Sequence, residues 1–483
     1  MPEPHPHTTP RRGLRRSLSG SAGRTGLAAV ALALLAGIAV VAPDVEAPTS
    51  AARPVAASTD RLWITSPTDP AKRLAPVDPV IGPGPATAQV VVDPQDRRQR
   101  WWGTGAALTD ASEQLLRNKS GAQKLLYSPT RADGAQLNLV RLPLTATDFS
   151  PSPSPWTWSW DGTQATPPDP QRRAVRMVKA INGLRPDLRA VATPWTALAS
   201  MKDNGSLRGG ALTTDAVTGY GQMLLSQADW LARNGVPLWA MTLGNEPGYS
   251  SDYASMTMSD EQMAILGNTV GPRLASSKVH LFAVDHNWSD RPRVDNVLSA
   301  APGGFDGAAF HCYGGTPSQM AGLAVPSMVT ECTGTTDGWS GTFAWDARNL
   351  VAGAVAAGSS GLMMWNLALD ESHGPVDAGS KWGCKNCRGL LTVAGNGVLR
   401  PEPEFYALAH LSRAASPDAR VIASSASTGL SVAAFRNPDG SIGVFGHNAT
   451  GSTQTVRINV LGGKDLAYTI EPGQLFTFRS AAG

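Results

Sequence analysis

Charge is scarce in this sequence. Asp, Glu, Lys and Arg make up 16% of its 483 residues, and the net charge is only +3. Residues 1–47 hold Arg11, Arg12, Arg15, Arg16 and Arg24 against Glu3, Asp44 and Glu46, so the remainder is close to neutral. A basic surface for nucleic acid is therefore not expected. No glycine-rich phosphate loop follows any strand-like run, which speaks against a doubly wound nucleotide-binding sheet. HxxxH-type metal pairs are missing as well; a metal-dependent hydrolase would have to use His286 and His311 with Asp285. Neither metal nor organic cofactor is expected. There are four cysteines, which fits an exported protein with two disulfides. Cys384-Lys-Asn-Cys387 stands alone, without a second pair at zinc-site spacing, and reads as a small local disulfide loop.

Long apolar runs are limited to one. Gly26–Ala42, "GLAAVALALLAGIAVVA", follows the arginines in the order of a secretory signal, and Arg15-Arg16 loosely suits a twin-arginine route. An N-terminal membrane anchor is the competing reading, although the run sits at the lower limit for spanning a bilayer. The expectation is a signal over 1–47, a secreted mature protein and no stable membrane span in it. Oligomeric state is not legible.

What is present is a rhythm of buried strands. After a linker and strands at "RLWIT" and "AQVVVDP" (48–97), eight short apolar runs alternate with helical stretches. They are "WWGTGAAL" (101–108), "LNLVRLPL" (137–144), "RAVATPWT" (189–196), "LWAMTLGN" (238–245), "HLFAVDHN" (280–287), "GAAFHCYG" (307–314), "SMVTECTG" (327–334) and "GLMMWNLAL" (361–369). Continuous rather than alternating hydrophobicity marks strands covered on both faces. Between the third and fourth, Ala216, Tyr220, Leu224, Ala228 and Leu231 share a helical face, with Thr213 or Thr214 as cap and Asn234-Gly235 as the stop. Eight repetitions predict an α/β fold, a (β/α)8 barrel over 98–400. Beyond residue 400 the runs alternate and are cut by turns such as Asn437-Pro438-Asp439-Gly440. They predict a β-sandwich-like side domain over 401–483, which also takes the N-terminal strands.

Barrel chemistry collects at the carboxyl ends of the strands. Those ends carry Asp110, Arg141, Asp148, Trp195, Asn245, Glu246, Asp285, His286, Asn287, His311, Tyr313, Glu331, Trp365 and Asn366. Glu246 and Glu331 fall on strands four and seven, across the mouth from each other. Glycoside hydrolysis needs such a pair: one carboxylate attacks the anomeric carbon, and the other protonates the departing oxygen. Each residue also has a plain structural reading. Asn245-Glu246-Pro247 could open a helix, Glu331 could simply pair with Arg141, and His311 could be a hydrogen-bonded structural histidine. Trp101, Trp102, Trp195 and Trp365 could each be core. All of these would have to hold together at matching strand ends.

At these residues the chain resembles glycoside hydrolase family 30, the glucosylceramidase family. The likeness spans about residues 60–480 and rests on "GTGAALTDAS", "VRLPLTATDFS", "ATPWTALASMKDNGSL", "TLGNEPGY", "FHCYGG", "VTECTG", "MWNLALDESHGP" and "PEFYALAHLSR". It implies a retaining β-glycosidase with Glu246 as acid/base and Glu331 as nucleophile. It implies that Asp148, Trp195, Asn245, Trp365 and, in a loosely aligned stretch, Asn386 contact the sugar, with Arg141, His311 and Tyr313 supporting the nucleophile. The implied substrate is a carbohydrate or glycolipid with β-glucosyl linkages, of the glucosylceramide or β-1,6-glucan type. Xylan and β-galactan are the alternatives, as is a non-catalytic carbohydrate-binding protein. The chain departs from the family pattern at Thr104, where an aromatic is usual, and at Cys312 and Cys332 beside the motif residues. If His311 and Glu331 both point into the barrel from neighbouring strands, the residues that follow them project to a common side. Strands ~4.8 Å apart satisfy disulfide geometry, so a Cys312–Cys332 bridge is expected.

Overall fold

Eight parallel strands close into a barrel in the computed structural model, which describes residues 60–78, 85–151, 154–381, 384–463 and 465–482. The expected signal and most of the linker lie outside the described residues. In chain order the barrel strands are β1 (Gly103–Ala107), β2 (Leu139–Pro143), β3 (Arg189–Thr193), β4 (Ala240–Thr242), β5 (His280–Asn287), β6 (Gly307–His311), β7 (Ser327–Glu331) and β8 (Ser359–Asn366). Seven of the eight predicted runs contain one of them whole, and β8 begins two residues before the eighth run, 361–369. Every residue of β1, β2, β6, β7 and β8 is buried, as continuous hydrophobicity requires of strands wrapped by helices.

Alternate residues fill the interior in layers. The lower layer is apolar: Leu139, Val191, Ala240, Phe282, Ala309, Met328 and Met363. Below it Trp102 stacks on Phe282 with centroids 5.4 Å apart and meets Trp239 edge-on at 5.0 Å, which closes the base. Trp101 is fully buried against Phe435 of the side sheet. Both tryptophans are therefore core rather than ligand platforms.

Gly105 has a steric reason to be glycine, since a Cβ there would stand 2.2 Å from the Leu139 carbonyl oxygen. Thr104 points outward, 1% exposed, and its hydroxyl lies 2.6 Å from Ser412 on the helix Pro403–Ala414. The departure from the family's aromatic thus falls at a barrel–helix seam, away from the mouth.

The helix after β3 differs from expectation at its start. One 3-10 turn, Thr214–Ala216, precedes the α-helix Val217–Arg233, and no threonine side chain caps it. The turn already supplies local hydrogen bonds where a cap would have acted. Asn245-Glu246-Pro247 does not open a helix either; the next one begins at Asp260 behind a Ser259/Gln262 capping box.

The side domain is one hydrogen-bonded sheet of nine strands that folds over on itself. Arg61–Thr65 pairs with Leu475–Arg479, and Ala88–Arg100 pairs with Arg420–Ala426 and Gln454–Val460. Register shifts in the Ala88–Arg100 pairing bend the sheet. Its two wings then enclose a single core, in which Tyr468 from one meets Phe478 from the other at 6.3 Å. This strand runs three residues past 97, where the N-terminal part of the side domain was expected to end. Helix Pro403–Ala414 is buried along most of its length and packs on barrel and sheet alike. No helix among the described residues is long and apolar enough to cross a membrane.

Both expected disulfides are present. Cys384 bonds Cys387, and Cys312 bonds Cys332 with Cα atoms 5.3 Å apart, tying β6 to β7 just beyond His311 and Glu331. Replacing Cys312 and Cys332 together by serine should remove about 3 kcal/mol of stability through the freed 20-residue loop. A fall in the urea midpoint checks this; an unchanged midpoint would contradict it.

Candidate active site

Above the apolar layer the barrel turns polar. Arg141 of β2 is fully buried and reaches across the axis. Its Nη1 donates to Glu331 Oε2, and its Nη2 donates to Asn245 Oδ1 at 2.8 Å and Asp285 Oδ2 at 2.9 Å. The guanidinium also lies 4.7 Å from the Trp195 ring and 5.7 Å from that of Trp365. These two indoles stack on each other at 5.2 Å.

Backbone geometry delivers the two glutamates. Asn245 and Glu246 continue β4 by bonding the carbonyls of Pro194, just past β3, and Asp285 of β5. Glu246 then takes φ +46°, a left-handed conformation that costs a non-glycine residue ~1–3 kcal/mol. The chain turns there, and the side chain enters the mouth 2% exposed. A register shift between β6 and β7 aligns His311 with Glu331. As a result Thr330 and Glu331, though consecutive, both serve the interior.

Glu246 and Glu331 meet. One carboxylate oxygen of each and a ring nitrogen of His311 all lie within 4.8 Å of one another. Glu331 Oε1 accepts from the Tyr313 hydroxyl at 2.9 Å. Burial and the Glu331 charge raise the Tyr313 phenol well above its ordinary range, so it stays a donor. Asn287 Oδ1 holds the Tyr313 amide at 3.1 Å.

His311 lies beside both glutamates. Its nitrogens lie 3.0 Å from Glu246 Oε1 and 3.1 Å from Asp285 Oδ1, and no hydrogen bond joins it to Glu331 among the described residues. The ring edge is simply turned toward β4 and β5. Burial opposes a charge on this imidazole, but Glu331, the bonds to Asp285 and Glu246 and the Asp285 charge outweigh it, raising His311 to about 9. Both nitrogens then donate, so Glu246 Oε1 is occupied as an acceptor. Glu246 Oε2 is buried and has no hydrogen-bond partner among the described residues.

Asp285 is a residue that sequence reading put at the rim but gave no part in the glycosidase mechanism. It is the extra residue of a bulge in β5: Val284 pairs with Ala309 and His286 with Phe310, and Val284 and Asp285 take φ +70° and +62°. The bulge aims its carboxylate inward, where it accepts from Arg141, His311, Thr242 (2.8 Å) and Thr330 (2.6 Å). Burial would raise its pKa, yet Arg141 and these donors hold it far below the usual carboxylate range. The sequence signal was slight: an acid inside an apolar run, adjoining a histidine.

Asp148 is also buried at the mouth. Burial first, then the charges of Glu331 and Glu246, raise its carboxyl well above the ordinary value. Asn386 is half-buried in the Cys384–Cys387 loop, with Oδ1 3.4 Å from Cys384 Sγ, and it bonds neither glutamate. Cys387 packs in the aromatic cluster of Phe149, Trp195, Tyr253 and Trp365, so that loop borders the mouth. Asn366 accepts from Thr109 at 2.6 Å, and His286 pairs with Asp290 at 3.0 Å rather than joining His311. The geometric trio Glu246, His311 and Glu331 is poorly suited to a cation. A charged His311 offers no lone pair, and Arg141 already holds Glu331.

Residues 102–324 match the family model "Glycosyl hydrolase family 30 TIM-barrel domain", and residues 418–476 match "Glycosyl hydrolase family 30 beta sandwich domain". An endo-1,6-beta-D-glucanase of Aspergillus fumigatus is 29% identical over 81% of this chain and 87% of its own. The lysosomal acid glucosylceramidase of Mus musculus is 25% identical over 80% and 81%. Among solved structures, an endo-beta1,6-glucanase superposes with a TM-score of 0.79 at 22% identity, covering 88% of this chain and 99% of that one. Two models of one family together cover more than half of the sequence, in the order that the fold requires: the chain belongs to glycoside hydrolase family 30 and is a hydrolase of glycosidic bonds.

Proposed function

We propose that the enzyme is a secreted, retaining β-glucanase that cleaves β-1,6-linked glucosyl chains by double displacement. The observation that carries the mechanism is the meeting of Glu246 and Glu331, with oxygens within 4.8 Å and Glu246 Oε2 without a partner among the described residues. Retaining enzymes hold their carboxyl groups ~5–5.5 Å apart, whereas inverting enzymes leave room for a water between them. Glu331 attacks the anomeric carbon while Glu246 passes its Oε2 proton to the departing glycosidic oxygen. The carbon–oxygen bond breaks, and a glucosyl ester forms on Glu331. Water then enters where the alcohol left, gives a proton back to Glu246 and attacks the anomeric carbon, which breaks the ester to Glu331 and releases the sugar with its original configuration.

Arg141 and Tyr313 hold Glu331 in line for attack, each on a different oxygen. Trp195 and Trp365 supply apolar faces for the sugar ring. Asn245, fixed by Arg141, bonds the sugar 2-hydroxyl in this reading, and Asp148 and Asn386 are assigned to other hydroxyls by the family resemblance. The 1,6-linkage is favoured over glucosylceramide by the higher identity and coverage of the fungal endo-1,6-glucanase. Export is supported by the arginine-led apolar run Gly26–Ala42 and by two disulfides. The working boundaries are a signal over 1–47, a barrel from 101 to 400 and a side domain fed from both flanks.

Three outcomes follow from this reading. Glu331→Gln should abolish turnover, and Glu246→Ala should cut hydrolysis of unactivated glucan by about 10²–10⁴ while sparing dinitrophenyl glucoside in the first step. Steady-state and burst kinetics check this, and full hydrolysis by either variant removes the mechanism. Reducing-end assays on β-1,6-glucan, xylan, β-galactan and glucosylceramide should show the first as the best substrate, with no loss on adding chelator. Preference for glucosylceramide would overturn the substrate choice. Finally, His311 is raised from 6.5 to about 9. Its contribution to stability is therefore complete below about 6.5 and lost as pH rises through about 9. Thermal melting and kcat/KM should decline together over that window.

A further inference from the structure

The two glutamates are held by different partners, Arg141 for Glu331 and His311 for Glu246, and these partners meet on one carboxylate. Asp285 Oδ2 accepts from Arg141 Nη2 at 2.9 Å, and Asp285 Oδ1 accepts from His311 Nε2 at 3.1 Å. Thr330 Oγ1 donates to Oδ1 at 2.6 Å and Thr242 Oγ1 to Oδ2 at 2.8 Å, so the carboxylate is clamped from four strands. It is entirely buried, and among the described residues no hydrogen bond joins it to the carboxylate of Glu246 or Glu331, although the Asp285 carbonyl accepts from the Glu246 amide at 3.0 Å. The chain bends two consecutive residues, one of them the β-branched Val284, into left-handed backbone to bring it there. Ordinary packing gives no reason to carry a charged side chain inward at that strain.

We propose that Asp285 is a positioning residue for both steps of the reaction: through Arg141 it sets Glu331 and Asn245, and through His311 it decides which oxygen of Glu246 faces the substrate. The link to Glu246 is directional. With the Asp285 carboxylate bonded at Nε2 and its charge helping to keep the ring protonated at both nitrogens, His311 presents an N–H at Nδ1 as well, and Glu246 must offer Oε1 to it. Oε2 is then the oxygen turned to the glycosidic bond. Without Asp285, a neutral imidazole could present a lone pair at Nδ1, draw the Glu246 proton onto Oε1 and point it away from the leaving group. The groups facing His311 are Glu246, Asp285, Glu331 and Tyr313, with the His286 ring edge-on at 6.3 Å. Asp285 bonds both this ring and Arg141, while the remaining neighbours reach one or the other.

The inference rests on the double-displacement reading, and the experiment separates the two. Asp285→Asn, checked for folding by near-UV circular dichroism, should lower kcat by roughly 100-fold with KM little changed. The loss should be several-fold greater on β-1,6-glucan than on dinitrophenyl glucoside, which needs no proton. NMR of ¹³C-labelled histidine should show His311, charged to about 9 in the parent enzyme, titrating at lower pH. A kcat within threefold of the parent on both substrates, or an unmoved His311 titration, overturns the role. If Asp285→Asn does not fold, Thr330→Val decides, because it strips one donor from the oxygen that receives His311 and leaves the charge in place. It should shift His311's titration, since that oxygen loses a competing donor, and widen the gap between the two substrates; no change in either refutes the proposal. Glu246→Ala and Glu331→Ala are run alongside. Inactive glutamate variants beside a fully active Asp285→Asn sink the Asp285 role alone, whereas active glutamate variants sink the mechanism beneath it.

Discussion

A single buried guanidinium organises the mouth of this barrel. Arg141 gives up all exposure to water, which is costly for a charge unless its hydrogen bonds and counter-charges are supplied on the spot. The supply comes from three other strands: Glu331 at the end of β7, Asp285 within β5, and Asn245 just past β4. Removing any one leaves a charge in a medium where it is poorly tolerated. That is why the polar layer is a fixed constellation and not a set of mobile side chains. The apolar layer beneath provides the low dielectric that makes these contacts strong, and the stacked Trp195 and Trp365 shield the guanidinium's flank.

The arrangement draws on conformations the chain would otherwise avoid. Glu246, Val284 and Asp285 all sit at positive φ, and all three lie at the mouth or in the strand that serves it. Such strain persists where surrounding structure over-determines it. Here the surroundings are a sealed barrel, a bridge between Cys312 and Cys332, and the Trp365 amide bonded to the Cys332 carbonyl at 2.7 Å. Residues on β6, β7 and β8 are thereby tied together directly beside Glu331.

Much of this was legible in the sequence, for definite reasons. Continuous apolar runs announce strands covered on both faces, and a polar residue at the end of such a run has few places to go but the rim. That logic finds Arg141, Asn245, Glu246, His311 and Glu331 without coordinates. It also predicts the Cys312–Cys332 bridge, since alternation fixes the side on which neighbours project. It fails where alternation fails. The β5 bulge inserts one residue, so Asp285 faces inward next to His286, and no periodicity could assign it. His311 was placed in the site, but the turn of its ring toward Glu246 is a matter of side-chain orientation that spacing does not encode. Thr213 and Thr214 were credited with a cap that a 3-10 turn made unnecessary.

The aromatic stopper formed by Trp102, Trp239 and Phe282 has a kinetic meaning. A tube blocked underneath has a single doorway, so the leaving alcohol and the incoming water must use it in succession. The first has to clear the threshold before the second can arrive, and residence of the departing fragment at the rim becomes a brake on turnover that is separate from bond breaking.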